Sequence, residues 1–112
     1  MPSFRIRLDL VPPQFSRSLR DLERTYRNIR RDLEALFSKL ESTGPRPNRS
    51  IGQSVFKERC ASSDMQRGQS GGFRVLILRR GTDLIPLFIF AKADRENITP
   101  EEIRNLIRSL EG

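Results

Sequence analysis

The sequence predicts a small α+β domain in which an antiparallel, twisted sheet of about four strands carries a helical hairpin and a C-terminal helix. Three patterns predict it: a short alternation of apolar and charged residues, a long apolar stripe with helical spacing, and β-rich runs separated by turn residues. A chain of 112 residues has room for one hydrophobic core. We therefore assign residues 1–112 to a single domain.

The first element predicted is a half-buried strand over residues 4–10. Phe4, Ile6 and Leu8 alternate there with charged residues, which is the period of a strand with one face in the core. Pro12 and Pro13 follow directly and end the strand.

A helical stripe comes next, over residues of about 15–42. It allows one long helix or a hairpin of two helices broken near Arg27 and Asn28, with Asn28 as the second N-cap. In either case the stripe is expected to pack on the sheet. Its apolar members recur three or four residues apart: Phe15, Leu19, Leu22, Tyr26, Ile29, Leu33, Leu36 and Leu40.

The second half of the chain predicts three strands and a helix. The strands cover residues 55–60, 73–78 and 84–91, and the short turns between them favour antiparallel pairing. Pro86 is expected near the start of the last strand or on a sheet edge. Thr99 and Glu102 form a capping box that begins a helix over about 99–110.

The charge of the chain excludes several kinds of protein. Lys and Arg number 21 against 14 Asp and Glu, giving a net charge of +7, and 18 of the 21 are Arg. There is no His, so no catalytic Ser–His or Cys–His pair can form, and no His ligand is available for a metal. Residues 46–80 hold eight bases and two acids, and this local excess predicts a phosphate-facing surface.

The sequence also predicts a cytoplasmic protein that does not enter membranes. The longest apolar run, residues 84–91, is interrupted by Pro86 and is too short to span a bilayer. The first ten residues lack a signal-peptide core, and the single Cys60 fits a reducing compartment.

Four cations are candidates for a functional site. Lys57 and Arg59 are two residues apart, so they project from the same face of a strand. Arg74 in the following strand is expected opposite them, and Lys92 comes just after the last strand. Such a group of like charges predicts a bound anion; the alternative is a set of exposed strand residues that discourage edge-to-edge aggregation.

Several strings in this second half resemble the RelE/ParE superfamily of toxins from type II toxin–antitoxin systems, and most closely its RelE/HigB-like branch. The most specific is RGQSGGFR at residues 67–74, supported by FKERC at 56–60 and AKAD at 91–94. The resemblance runs from about Phe15 to Leu110. It implies a RelE-like toxin domain and favours the two-helix alternative for residues 15–42.

The resemblance also implies an activity and partners. Members of this kind are endoribonucleases (mRNA interferases) that cleave messenger RNA in the ribosomal A site and so inhibit translation. A cognate antitoxin neutralises them, forming a toxin–antitoxin hetero-oligomer. The implied reaction is attack of a 2′-hydroxyl on the adjacent phosphate, with no metal and no cofactor.

The family pattern assigns site residues by position. Lys57, Arg59 and Arg74 match the catalytic bases of the family; Lys57 is the candidate general base, because a guanidinium does not give up its proton. Arg59 and Arg74 are then expected to stabilise the phosphorane charge. Lys92 joins the catalytic set, and the residues assigned to substrate binding are Arg67, Gln69, Ser70, Arg79, Arg80 and Arg95.

Departures from the family pattern leave two alternatives open. Ala93 stands where many relatives have a further Arg, the sole Tyr26 does not match their C-terminal Tyr, and Gln69 replaces a common Lys. Lys92 or Arg95 is expected to take over part of the missing role. The alternatives are a ParE-like toxin that inhibits DNA gyrase and a catalytically inactive relative that binds nucleic acid; the retained basic residues favour the nuclease.

Overall fold

The computed structural model describes residues 3–65, 71–95 and 97–111. Helices and strands follow one another in the predicted order, with two single-turn 3₁₀ helices at Leu8–Leu10 and Pro47–Arg49. None of the helices in these ranges is both long and apolar enough to cross a membrane. The elements are β1 (Arg5–Ile6), α1 (Pro13–Glu23), α2 (Ile29–Thr43), β2 (Val55–Cys60), β3 (Phe73–Arg80), β4 (Asp83–Ala91) and α3 (Pro100–Glu111).

The four strands form one sheet in the order β1-β4-β3-β2. The predicted antiparallel pairing of β2, β3 and β4 is confirmed. The first strand differs from the prediction, since it runs parallel to β4 and makes the sheet mixed. The chain passes through both helices, β2 and β3 before it forms β4, the strand that pairs with β1.

The strand predicted over residues 4–10 is wrong beyond Ile6. β1 has two residues, and Leu8–Leu10 form a 3₁₀ turn instead. The ladder ends because Arg7 N–H already bonds the Leu84 carbonyl, and the next donor on β4 would come from Pro86, which has no N–H. Arg7 then turns towards the carboxylates of Asp9 and Asp83, at 2.7 and 3.1 Å.

The helical stripe forms a hairpin, α1 and α2, rather than one long helix. Asn28 is the N-cap of α2, as predicted, but its side chain makes no capping bond. The cap comes from Asp64, whose carboxylate accepts hydrogen bonds from the Asn28 backbone N–H and side-chain amide, both at 2.8 Å. The hairpin is therefore fixed by a residue that follows β2.

The sheet lies between two helical layers. Its β3 residues alternate: Phe73, Val75 and Ile77 pack in the core with α1 and α2, whereas Leu76 and Leu78 pack with α3. The capping box of α3 is confirmed, because Thr99 N–H donates to Glu102 Oε1 at 3.0 Å and Glu102 N–H donates to Thr99 Oγ1 at 3.1 Å. One sheet face thus carries the hairpin and the other carries α3.

Candidate functional site

The register of β2 and β3 brings three of the predicted cations together. Arg59 and Arg74 are direct partners in the antiparallel ladder, and Lys57 pairs with Leu76, two positions further along β3. Because side chains alternate along a strand, all three share the sheet face on which Val55 and Leu76 pack with α3. The predicted convergence of Lys57, Arg59 and Arg74 is a property of this register.

These cations line an open cleft of about 310 Å³ beyond the apolar contact with α3. Lys92, which follows the last strand, is also part of it, so the four cations predicted to act together meet in one cleft. Arg49 and Asn97 complete the wall and were absent from the predicted site. The lining residues are Arg49, Lys57, Arg59, Arg74, Lys92 and Asn97.

Arg74 is the most buried cation of the cleft, with 6 % of its surface exposed. Its Nη1 donates to the carbonyls of Gly71 and Phe73, at 3.4 and 3.0 Å. Burial lowers the pKa of Arg74, and the positive charges of Arg59 and Arg49 lower it further. Since no carboxylate in the described ranges pairs with this guanidinium, an anion entering the cleft would relieve an uncompensated charge.

Gly72, directly before β3, stands where only a glycine fits without strain. Its φ of +81° lies in the left-handed region, and a Cβ there would stand 2.6 Å from the Cys60 carbonyl oxygen at the end of β2. The Gly72 carbonyl accepts a hydrogen bond from Lys92 N–H at 3.1 Å. This glycine therefore allows the ends of β2, β3 and β4 to meet closely, which brings Arg74 and Lys92 into the same cleft.

Arg49 enters the site from the loop between α2 and β2. It ends the 3₁₀ turn Pro47–Arg49, which is held against β2 by the hydrogen bond from Arg46 N–H to Glu58 Oε2 at 2.9 Å. The bridge between Ser50 and Phe56 fixes the other end of the turn. Arg49 belongs to the basic segment of residues 46–80, but no periodicity in the sequence predicts that its side chain lies near Arg74.

Two predicted substrate-binding residues lie at the other end of the sheet. Arg79 and Arg80 end β3, and Arg79 is five residues from Arg74, which corresponds to roughly 17 Å along a strand. Arg79 Nε donates to the Gly81 carbonyl at 3.0 Å, and its guanidinium lies 5.0 Å from the centre of the Phe4 ring. The structure does not bring these two residues to the cleft.

Arg95 lies beside the cleft rather than in it. Its guanidinium pairs with Glu102 at 2.9 Å, donates to the Asn97 carbonyl and stacks on Phe90. This arrangement gives Arg95 a supporting role, since it holds the segment that carries Asn97. The remaining predicted binding residues, Arg67, Gln69 and Ser70, lie outside the described residues.

Comparison with protein-family models gives a match. A family model described as the RelE toxin of the RelE/RelB toxin–antitoxin system matches residues 22–110. No curated protein and no solved structure matches the chain. The matched range begins in α1 and includes every residue that lines the cationic cleft.

Proposed function

The chain belongs to the RelE family of toxins of RelE/RelB toxin–antitoxin systems, and from this premise we propose that it is an endoribonuclease that cuts messenger RNA on the ribosome. Its cleavage of transcripts in the A site would stop translation, and a cognate antitoxin would neutralise it. We place its activity in the cytoplasm, where both partners are present.

The observation that carries the proposal is the cluster of five cations in one cleft, with Arg74 almost fully buried among them. Arg74 is buried beside the positive charges of Arg59 and Arg49, and an anion bound next to it would stabilise its charge. A phosphodiester supplies that anion, and its phosphorane transition state carries one more negative charge than the ground state. Fixed guanidinium groups therefore stabilise the transition state more than the substrate.

The proposed reaction is an internal transesterification. The ribose 2′-oxygen attacks the adjacent phosphorus while its proton passes to the Lys57 amine. The bond from phosphorus to the 5′-oxygen of the next nucleotide breaks, and Lys92, as an ammonium group, gives that oxygen a proton. The products are a 2′,3′-cyclic phosphate and a 5′-hydroxyl.

The guanidinium groups have a different role. Arg59 and Arg74 donate to the non-bridging phosphate oxygens, and their planar donor geometry suits two oxygens at once. Arg49 approaches from the side of the β2 edge and adds a third guanidinium. Lys92 and Arg49 are our proposed replacements for the Arg that many relatives carry at the position of Ala93.

The retained cations also argue against the gyrase-inhibiting alternative. Inhibition of gyrase through protein contacts gives no reason for a buried guanidinium in a cleft lined by four other cations, whereas stabilisation of a phosphorane does give one. The same argument disfavours a relative without catalytic activity, because passive phosphate binding is achieved by exposed cations.

The test is induction of the protein in growing cells followed by mapping of transcript ends. The proposal predicts messenger RNA fragments with cuts inside translated codons, and loss of those cuts when initiation is blocked. Intact transcripts together with accumulating DNA breaks would contradict this proposal and support the gyrase alternative. Cleavage of protein-free RNA at the same positions would support the nuclease activity and contradict its dependence on the ribosome.

A further inference from the structure

The segment that joins α2 to β2 has few backbone donors through which the sheet can hold it. Pro45 and Pro47 flank Arg46, and neither proline has an N–H. Arg46 therefore carries the only backbone donor of residues 45–47. Its backbone is extended, with φ of −74° and ψ of 129°, as is usual for a residue that precedes proline.

This donor meets a buried carboxylate of the edge strand. Arg46 N–H donates to Glu58 Oε2 at 2.9 Å, and only 4 % of the surface of Glu58 is exposed. Hydrogen bonds to a charged acceptor are stronger than those between neutral groups, so this bond holds the segment firmly. Burial of a carboxylate is costly unless bonds and nearby charges compensate it.

The surroundings of Glu58 supply positive charge. Glu58 lies in the wall of a second cavity, of about 610 Å³, which adjoins the cationic cleft because three arginines line both spaces. The cations that line this cavity with Glu58 are Lys39, Arg46, Arg49, Arg59 and Arg74. A carboxylate is therefore tolerated at this buried position, where it serves as a fixed acceptor.

From Arg46 the hydrogen bonding continues to Arg49. The Arg46 carbonyl accepts the Arg49 N–H at 2.9 Å, and this bond closes the 3₁₀ turn Pro47–Arg49. The bridge between Ser50 and Phe56 then joins the next residue to β2. Because the short turn is bonded at both ends, the place of Arg49 depends on the place of Arg46.

Glu58 and Arg49 belong to different sides of β2. Side chains alternate along a strand, so Glu58 projects away from the face that Lys57 and Arg59 share. Glu58 faces the second cavity, whereas Arg49 also lines the cleft in which the phosphate is proposed to bind. The turn that carries Arg49 is thus the link between the carboxylate and the cleft.

We propose that Glu58 is a positioning residue for the cleavage reaction: its carboxylate holds the Arg46 N–H and thereby keeps the Arg49 guanidinium in the wall of the cleft. This inference rests on the proposed function, because the phosphate that Arg49 contacts belongs to the strand that the cleft cuts. When position 58 offers no acceptor, the turn loses its attachment to β2 and Arg49 no longer reaches that phosphate.

A double-mutant cycle between Glu58 and Arg49 tests the inference. Filter binding of single-stranded RNA over a range of salt concentrations compares the native protein, Glu58→Leu, Arg49→Gln and the double variant. Loss of one phosphate contact reduces the slope of the salt dependence by about 0.7. Because Glu58 acts through Arg49, we expect this reduction in each single variant and no further reduction in the double variant.

Glu58→Gln is the matched control for charge. It loses the same charge as Glu58→Leu but keeps an oxygen that can accept the Arg46 N–H, so it is expected to keep the native salt slope. Leu22→Ala, which removes partly buried apolar surface from α1, controls for stability. It should lower the melting temperature and leave the salt slope unchanged.

A second pair of variants removes the donor instead of the acceptor. The φ of Arg46, −74°, is one that proline adopts, so Arg46→Pro removes the N–H at little cost to the local backbone. Arg46→Ala loses the same side chain and keeps the N–H. We expect the salt slope of Arg46→Pro to be lower than that of Arg46→Ala by about 0.7, and thermal unfolding verifies that both are folded.

Three results would overturn the inference and leave the nuclease intact. These are an additive loss of slope in the double variant, an equal loss in Glu58→Gln and Glu58→Leu, and equal slopes in Arg46→Pro and Arg46→Ala. Cleavage in a translation extract is followed in parallel. If the native protein neither cleaves messenger RNA there nor binds RNA in a salt-dependent manner, the proposed function is removed, and this inference with it.

Discussion

Arg59 and Arg74 stand directly opposite each other in the antiparallel pair of β2 and β3, with both guanidinium groups on one face of the sheet. Like charges at directly opposed positions destabilise a sheet, and here Arg49 adds a third positive charge beside the buried Arg74. The arrangement costs stability in the free protein. It is explained by the anion that the same groups are proposed to hold.

We expect Arg59→Gln to stabilise the protein and to weaken cleavage. Removal of the exposed partner relieves the repulsion on Arg74, and the free energy of unfolding should rise by about 0.5 kcal/mol at low salt. Urea unfolding of the variant and of Arg17→Gln, an exposed control on α1 with the same change of charge, measures the difference. A stability loss greater than in the control would contradict the view that Arg59 is retained for function.

Lys57→Ala is expected to relieve growth arrest. If the amine takes the 2′-proton, its loss should lower the cleavage rate by about 10²- to 10⁴-fold, the usual contribution of a general base. Affinity for the antitoxin and the far-ultraviolet circular dichroism spectrum serve as controls for folding. Full toxicity of a folded Lys57→Ala variant would remove Lys57 from the mechanism.

A cation that lines the cleft and a cation at the far end of β3 should behave differently. Arg49→Gln should weaken binding of single-stranded RNA and reduce the slope of the salt dependence by about 0.7, because it removes one phosphate contact. Arg79→Gln should leave both quantities unchanged, since Arg79 stacks on Phe4 at the far end of the strand. Filter binding over a range of salt concentrations compares them; equal effects would show a diffuse basic surface rather than a defined cleft.

Gly72→Ala should affect stability and activity together. A Cβ at 2.6 Å from the Cys60 carbonyl forces the backbone apart, and the positive φ adds strain, for a total of about 2 kcal/mol or more. Both the melting temperature and the cleavage rate are therefore expected to fall. The control is Gly81→Ala, which has a positive φ of 62° but no neighbour within 4 Å of its Cβ, and it should lose less stability and little activity.

Cys60 predicts a pH dependence in alkali. Burial, and then the charge of Asp32, raise the pKa of its thiol to about 12, so the folded state keeps the proton that the unfolded chain loses near pH 9. The unfolded state binds fewer protons above pH 9, and stability should fall by about 1 kcal/mol between pH 8 and 10. Urea unfolding of Cys60→Ala gives the background from other groups; the same pH slope in both proteins would contradict the assignment.

Periodicity predicted the fold well where each element packs against another along its length. The hairpin, the three long strands and α3 all show apolar positions at the spacing of their secondary structure, and the capping box at Thr99 is local. The alternation after Ile6 failed as a signal because continuation of β1 depends on the donor at Pro86, a residue distant in sequence.

Some residues of the candidate site were likewise predictable from local spacing, and others were not. The common face of Lys57 and Arg59 was predictable from strand alternation, and Arg74 was expected opposite them because it lies in the following antiparallel strand. Arg49 was not, since its position depends on a backbone hydrogen bond from Arg46 to Glu58 rather than on any period. For the same reason Arg79 and Arg80 were assigned to the substrate by charge alone, although the length of β3 carries them away from the cleft.

The sequence by itself determined the α+β class, the helical and strand segments, the excess of arginine and the absence of histidine. These are properties of composition and local spacing. Only the tertiary structure decided that five cations meet in one cleft, that Glu58 lies in the wall of the adjoining cavity, and that Arg95 supports the site from outside. Register and loop closure depend on contacts between residues distant in the chain, and those contacts leave no periodic pattern in the sequence.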